Sequence, residues 1–165
     1  MRNTSAARAV NSLISEVKDS TGLSVWRHVD IDNLSESTDA WIEILNALYR
    51  NGWVEPKYNG VTYDEEAVAL TMLMFARSWS NANGTPNKDI PFGEALARYH
   101  LSIKDYSHND GVAMIKKISA AGTFEQQMYL LSRLVPRVAK VSGFNYPSLT
   151  DDIISMRIDK TGKQV

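Results

Sequence analysis

The segment Asp64-Glu-Glu-Ala-Val-Ala-Leu-Thr-Met-Leu-Met-Phe-Ala-Arg-Ser-Trp79 opens on three acids and continues almost wholly apolar. Its apolar residues Val68, Leu70, Met72, Leu73, Met74, Phe75 and Trp79 run nearly all the way round a helical wheel. A helix that is apolar on every side is a buried one. The three acids at its start stand where the helix dipole favours negative charge. The segment predicts a central helix with other helices packed around it.

The flanking segments are amphipathic rather than uniformly apolar. Val10, Leu13, Ile14 and Val17 follow i, i+3, i+4, i+7 spacing in a helix expected from Thr4 to Lys18, with Thr4 or Ser5 as its cap and Gly22 beyond it. A turn-rich stretch around Asp30-Ile-Asp-Asn33 follows. Trp41, Ile44, Leu45 and Leu48 then repeat the stripe in a helix that starts near Thr38 or Asp39. It stops at Asn51-Gly52, a pair suited to a left-handed C-cap. Asn81 to Asp89 is the clearest loop in the chain.

Downstream, helices are predicted from about Pro91 to Ile103, from Val112 to Ala121, from a Thr123 cap to Val141, and from about Pro147 to Met156. Gly111 and Pro136 are the irregularities, and Pro136 is expected to kink its helix or shorten its second half. Asp151-Asp152, like Asp64-Glu65-Glu66, reads as a helix-start pair explained by capping. No strand-like alternation of any length appears. The expected fold is all-α, a compact bundle of about seven helices. It is read as a single helical domain over residues 1–165, with two sub-lobes joined by the loop at 81–90.

Composition narrows the class of protein. Apolar residues make up 44% of 165, and a chain of this length buries about two thirds of its unfolded surface. There is no cysteine, which excludes disulfides and thiolate metal sites. Met1 to Val10 has two arginines but no apolar core of a signal peptide, and no run approaches the ~18–20 apolar residues of a membrane helix. A cytoplasmic location is the expectation. The net charge of −1 conceals an asymmetry. Residues 1–97 carry 8 basic and 13 acidic side chains (−5), and residues 98–165 carry 10 and 6 (+4). Positive charge concentrated in one region attracts polyanions.

Catalytic patterns do not assemble. His28, His100 and His108 form no metal-binding helical pair. His100, Asp105, His108 and Asp110 straddle a predicted helix end and read as surface or turn residues. Asp30, Asp32 and Glu36 suggest a calcium loop only until Ser35 is found where its glycine belongs. Nucleophile-elbow, Walker and dinucleotide glycine patterns are missing. No catalytic residue, metal or cofactor is expected. Trp26, Trp41, Trp53, Trp79 and Tyr99 fall on apolar faces and read as core, while Tyr58 and Tyr63 are the aromatic candidates for a contact surface.

The most informative chemistry lies on the 123–141 helix. With about 100° per residue, Arg137 and Lys140 fall within about 40° of Arg133, and the three span about 10 Å of axis. Phe124, Met128, Leu131, Leu134, Val135, Val138 and Val141 are assigned to the packed side. Lys116 and Lys117 on the preceding helix add to the charge, and Glu125 is the one acid between Val112 and Val141. Such a row can meet several phosphates of a nucleic-acid strand. On spacing alone it also fits an ordinary solvated face, on which the scarcity of acids is the unusual feature.

At Ile90-Pro-Phe-Gly-Glu-Ala-Leu-Ala-Arg-Tyr99 the chain resembles the "slGrALarL" signature of the CasB family, the small subunit of the type I-E CRISPR surveillance complex called Cascade. The flanks agree in order and spacing. Ala67 to Ala76 is similar to the family's apolar helix before the loop, Met114 to Ala121 to the element after it, Met128 to Val135 to the next helix, and Phe144 to Asp152 to the turn and helix beyond. The resemblance covers about residues 64 to 155.

It implies an all-helical, non-catalytic subunit present in two copies, with the other Cascade subunits and the guide RNA complex as partners. Family members help hold the R-loop open by binding the displaced single-stranded DNA through sequence-independent phosphate contacts. The helical spacing makes Arg133, Arg137 and Lys140 the first candidates for phosphate contacts, and Lys116, Lys117 and Arg98 come second, because the family's motifs place basic residues near the same points. The family usually continues into a terminal Trp- and basic-rich segment. This sequence stops at Gln164-Val165, so no contact is carried over for that part. Two other readings stay open: a scaffold subunit whose basic helix docks on acidic protein, and a free-standing helical DNA-binding regulator. The regulator requires a helix-turn-helix, and no tight turn of that kind stands out.

Overall fold

The computed structural model describes residues 4–17, 20–57, 60–79, 86–102 and 110–161, and among these there is helix and no strand. In chain order the helices are α1 (Ser5–Ser15), α2 (Ser24–Arg27), α3 (Thr38–Arg50), α4 (Tyr63–Ser78), α5 (Phe92–Ser102), α6 (Asp110–Ala120), α7 (Phe124–Val141) and α8 (Tyr146–Thr161). The all-α expectation holds. Each of the seven predicted helices forms, and α2 is an addition. The chain separates into two units: residues 1–77 with 146–165, and residues 78–145.

In the first unit α4 is the buried element. All ten residues from Ala67 to Ala76 are buried, as a helix apolar on every side requires. The one polar residue in that run, Thr71, donates to the Ala67 carbonyl (2.8 Å) and accepts from the Thr150 hydroxyl of α8 (2.9 Å), so its hydroxyl is satisfied in the core. Phe75 meets Tyr146 edge to face at 5.0 Å. The start of α4 is a capping box. Thr62 Oγ1 accepts from the Glu65 amide (3.2 Å), and the Glu65 carboxylate accepts from the Thr62 amide and hydroxyl (both 2.7 Å). The other Glu65 oxygen takes the Trp41 indole N–H at 2.7 Å, and Asp64 takes that of Trp53 at 2.9 Å. The acids at this helix start therefore also anchor two tryptophans.

Around α4, α1 packs on α3 and α8. Thr4 caps α1 by accepting from the Ala7 amide (3.0 Å) and donates its own proton to Asp151 of α8 (2.6 Å). Asp151 lies in the second turn of α8 and is buried, so its role is this long-range bond and not the capping expected for Asp151-Asp152. α1 ends at Ser15, earlier than its stripe suggested. Its last amides, of Glu16 and Val17, close onto the carbonyls of Leu13 and Ile14 three residues back (3.3 and 3.0 Å). Gly52 after α3 has φ +80°, the left-handed C-cap expected of Asn51-Gly52. Tyr63, a candidate for a contact surface, is only half-exposed. It opens α4, and the Arg157 guanidinium lies 5.1 Å over its ring. The Asp30 loop is an Asx turn in which Asp30 accepts from the Asp32 amide at 3.1 Å. Tyr58 lies outside the described residues.

The second unit is built on α5, α6 and α7, each packed on the other two. The segment 142–145, which follows α7, is tied back to this unit. Asn87 donates to the Phe144 carbonyl (3.0 Å), Asn145 donates to that of Ile90 (2.7 Å), and Phe144 sits edge-on to Phe92 at 5.0 Å. Thr123 caps α7 as expected, accepting from the Gln126 amide at 3.1 Å, while the Gln126 side chain reaches back to the Gly122 amide (3.1 Å). Pro136 does not shorten α7, which continues to Val141. The ladder bond lost there belongs to the Ser132 carbonyl, on a half-exposed flank where water can replace it. Asp105, His108, Ile103 and residues 81–85 lie outside the described residues.

Candidate nucleic-acid interface

α7 sets the geometry of the site. Phe124, Met128, Leu131, Leu134, Val135, Val138 and Ala139 are buried and fix the helix against α5 and α6. Arg133, Arg137 and Lys140 are exposed on the other side. Val141 departs from the sequence reading. It is 45% exposed, because the last turn carries it about 80° from Arg133 and off the packed face.

The six candidate cations all belong to the 78–145 unit and all are exposed: Arg98 on α5, Lys116 and Lys117 on α6, and Arg133, Arg137 and Lys140 on α7. Counted over its sequence, that unit carries eight Lys/Arg and five Asp/Glu, a formal charge of +3. The remainder carries ten and fourteen, or −4. The asymmetry seen in the two halves of the sequence is thus also an asymmetry between folded units. Within the set the cations are not equivalent. Arg98 pairs with Glu94 one turn back at 3.8 Å, an exposed contact of small energy that still offsets its charge.

Arg133 is held along the helix. Its guanidinium lies 5.7 Å over the Tyr129 ring and donates to the Tyr129 hydroxyl at 3.2 Å. Tyr129 itself is 61% exposed. It lines an open groove of about 590 Å³ together with Leu130 and Glu125 of α7 and with Lys117, Ala120 and Ala121 at the end of α6. The groove brings Lys117 to the Tyr129 end of the cationic row, and Lys116 is exposed one residue earlier. Sequence reasoning missed Tyr129. The signal was its position four residues before Arg133, which puts it on the same face.

Among the described residues no group of three or more His, Asp or Glu side chains is placed to hold a metal ion. No described helix is long and apolar enough to cross a membrane. In comparisons with protein families, characterised proteins and solved structures, nothing matched the chain.

Proposed function

We propose that the chain is a non-catalytic subunit of a Cascade-type assembly that binds single-stranded DNA by sequence-independent contacts to its phosphates. The observation that carries this reading is the row Arg133, Arg137 and Lys140 on an 18-residue helix whose opposite face is locked in a core. Rigid presentation matters because a cation already held in place loses less freedom when it meets a phosphate. Steps of three and four residues put the charges about 4.5 and 6 Å apart along the axis, a comb that grips a backbone without reading bases. The positive balance of the 78–145 unit supports the same reading by steering a polyanion to this part of the protein.

The test is the triple substitution Arg133→Glu, Arg137→Glu, Lys140→Glu, with binding of a fluorescent oligothymidylate followed by anisotropy at low salt. The reading predicts a loss of at least tenfold, while circular dichroism shows the helices intact. Unchanged affinity removes this face from the account. A scaffold subunit would instead keep its protein partners in the presence of excess DNA, and a sequence-specific regulator would protect a defined duplex site.

A further inference from the structure

We infer that Tyr129 is a stacking platform for an unpaired nucleobase, seated in the groove between α6 and α7 while the phosphates of its strand run along Arg133, Arg137 and Lys140. The inference rests on the proposed single-strand binding and adds the chemical class that the site selects. Three observations converge on it.

The first is exposure. Tyr129 is 61% exposed, whereas Phe124, the other aromatic residue of its helix, is buried. The second is the groove, whose volume of about 590 Å³ falls within the range of small-ligand pockets and whose walls are mostly the methyl groups and chains of Ala120, Ala121 and Leu130. A flat, weakly polar ring fits such a surface. The third is adjacency, since Tyr129 lies about 6 Å along the axis and about 40° round from Arg133.

An occupant that satisfies all three is anionic on one side and flat and aromatic on the other, which is the description of a nucleotide. A duplex hides its base faces in its own stack, so the platform can be used only by a strand with unpaired bases. Lys117, which also lines the groove, carries a donor that can meet base edges without imposing one sequence.

The contact between Tyr129 and Arg133 supplies an alternative that the test must separate. A ring that acts only by holding the guanidinium is missed equally on any phosphodiester strand. The experiment compares wild type, Tyr129→Ala and Tyr129→Phe on an oligonucleotide carrying 2-aminopurine, on an abasic strand of equal length and on the matching duplex. Stacking predicts that Tyr129→Ala loses about tenfold on the base-containing strand, within the range measured for base–aromatic contacts, with an unchanged salt slope. Tyr129→Phe keeps the affinity, and 2-aminopurine emission is quenched on binding by wild type and Tyr129→Phe but not by Tyr129→Ala. On the abasic strand and the duplex the three proteins bind alike.

Equal loss on the abasic strand overturns the inference and reduces Tyr129 to a support for Arg133. Wild-type affinity in Tyr129→Ala, with the charge-reversed triple variant still weakened, overturns the inference and leaves phosphate binding standing. Such a result is expected if a protein segment occupies the groove. No salt-sensitive strand binding by wild type overturns both.

Discussion

Glu65 is 3% exposed, and three neutral donors hold its carboxylate: the Thr62 amide, the Thr62 hydroxyl and the Trp41 indole. Removing it leaves those donors buried without their acceptor, and Glu65→Ala is expected to lower the unfolding free energy by about 3 kcal/mol in urea denaturation. Asp152 works the other way. Partial burial raises its pKa, and the charge of Asp151 raises it further. The folded chain then retains a proton at pH values where the unfolded carboxyl, near 3.8, has released it. Its ionisation is therefore destabilising at neutral pH, and that cost disappears as pH falls through the raised value and below the unfolded one. Asp152→Asn should melt at a higher temperature than wild type at pH 7, with the difference closing at pH 3. At this scale the sequence was partly legible. The caps at Thr4, Thr123 and Gly52 are local and could be read from their neighbours. Asp151 could not, because its partner Thr4 is 147 residues away, and the groove at Tyr129 gives no local sign, because it is completed by residues of α6.

Helices with a strong stripe or an unbroken apolar run were legible as elements, because the periodicity that forms them is the periodicity that buries them. α4 is the clearest case. α2 escaped because four residues with one buried side chain, Trp26, make no repeat. α8 runs five residues past the expected Met156, and its polar extension is held by contacts that no local pattern encodes: Arg157 pairs with Glu66 at 3.2 Å and stacks on Tyr63. Pro136 leaves the length of α7 intact for a related reason, since packing of α7 on both sides of it outweighs one missing bond. Pro136→Ala should therefore stabilise the protein by roughly 1–3 kcal/mol in thermal or urea melts. It should leave strand affinity unchanged, because the cations keep their register. A variant that folds less stably would show that the proline is accommodated by a local geometry which alanine cannot share.

Across the whole molecule, a net charge of −1 is the sum of a unit at +3 and a remainder at −4. The sequence exposed the asymmetry, but a cut at residue 97 could not assign it to folded units, since 146–165 returns to the first of them. The all-α class was fully legible; the groove was not, because it is built from two helices and has no signature in either. If the exposed row of α7 neutralises phosphates, oligothymidylate affinity must fall with added salt. Each phosphate contact on a single strand contributes about −0.7 to the slope of log K against log salt. Reversing Arg133, Arg137 and Lys140 should therefore make the slope shallower by about 2 relative to wild type. Equal slopes for the two proteins, or a wild-type affinity indifferent to salt, would contradict the account.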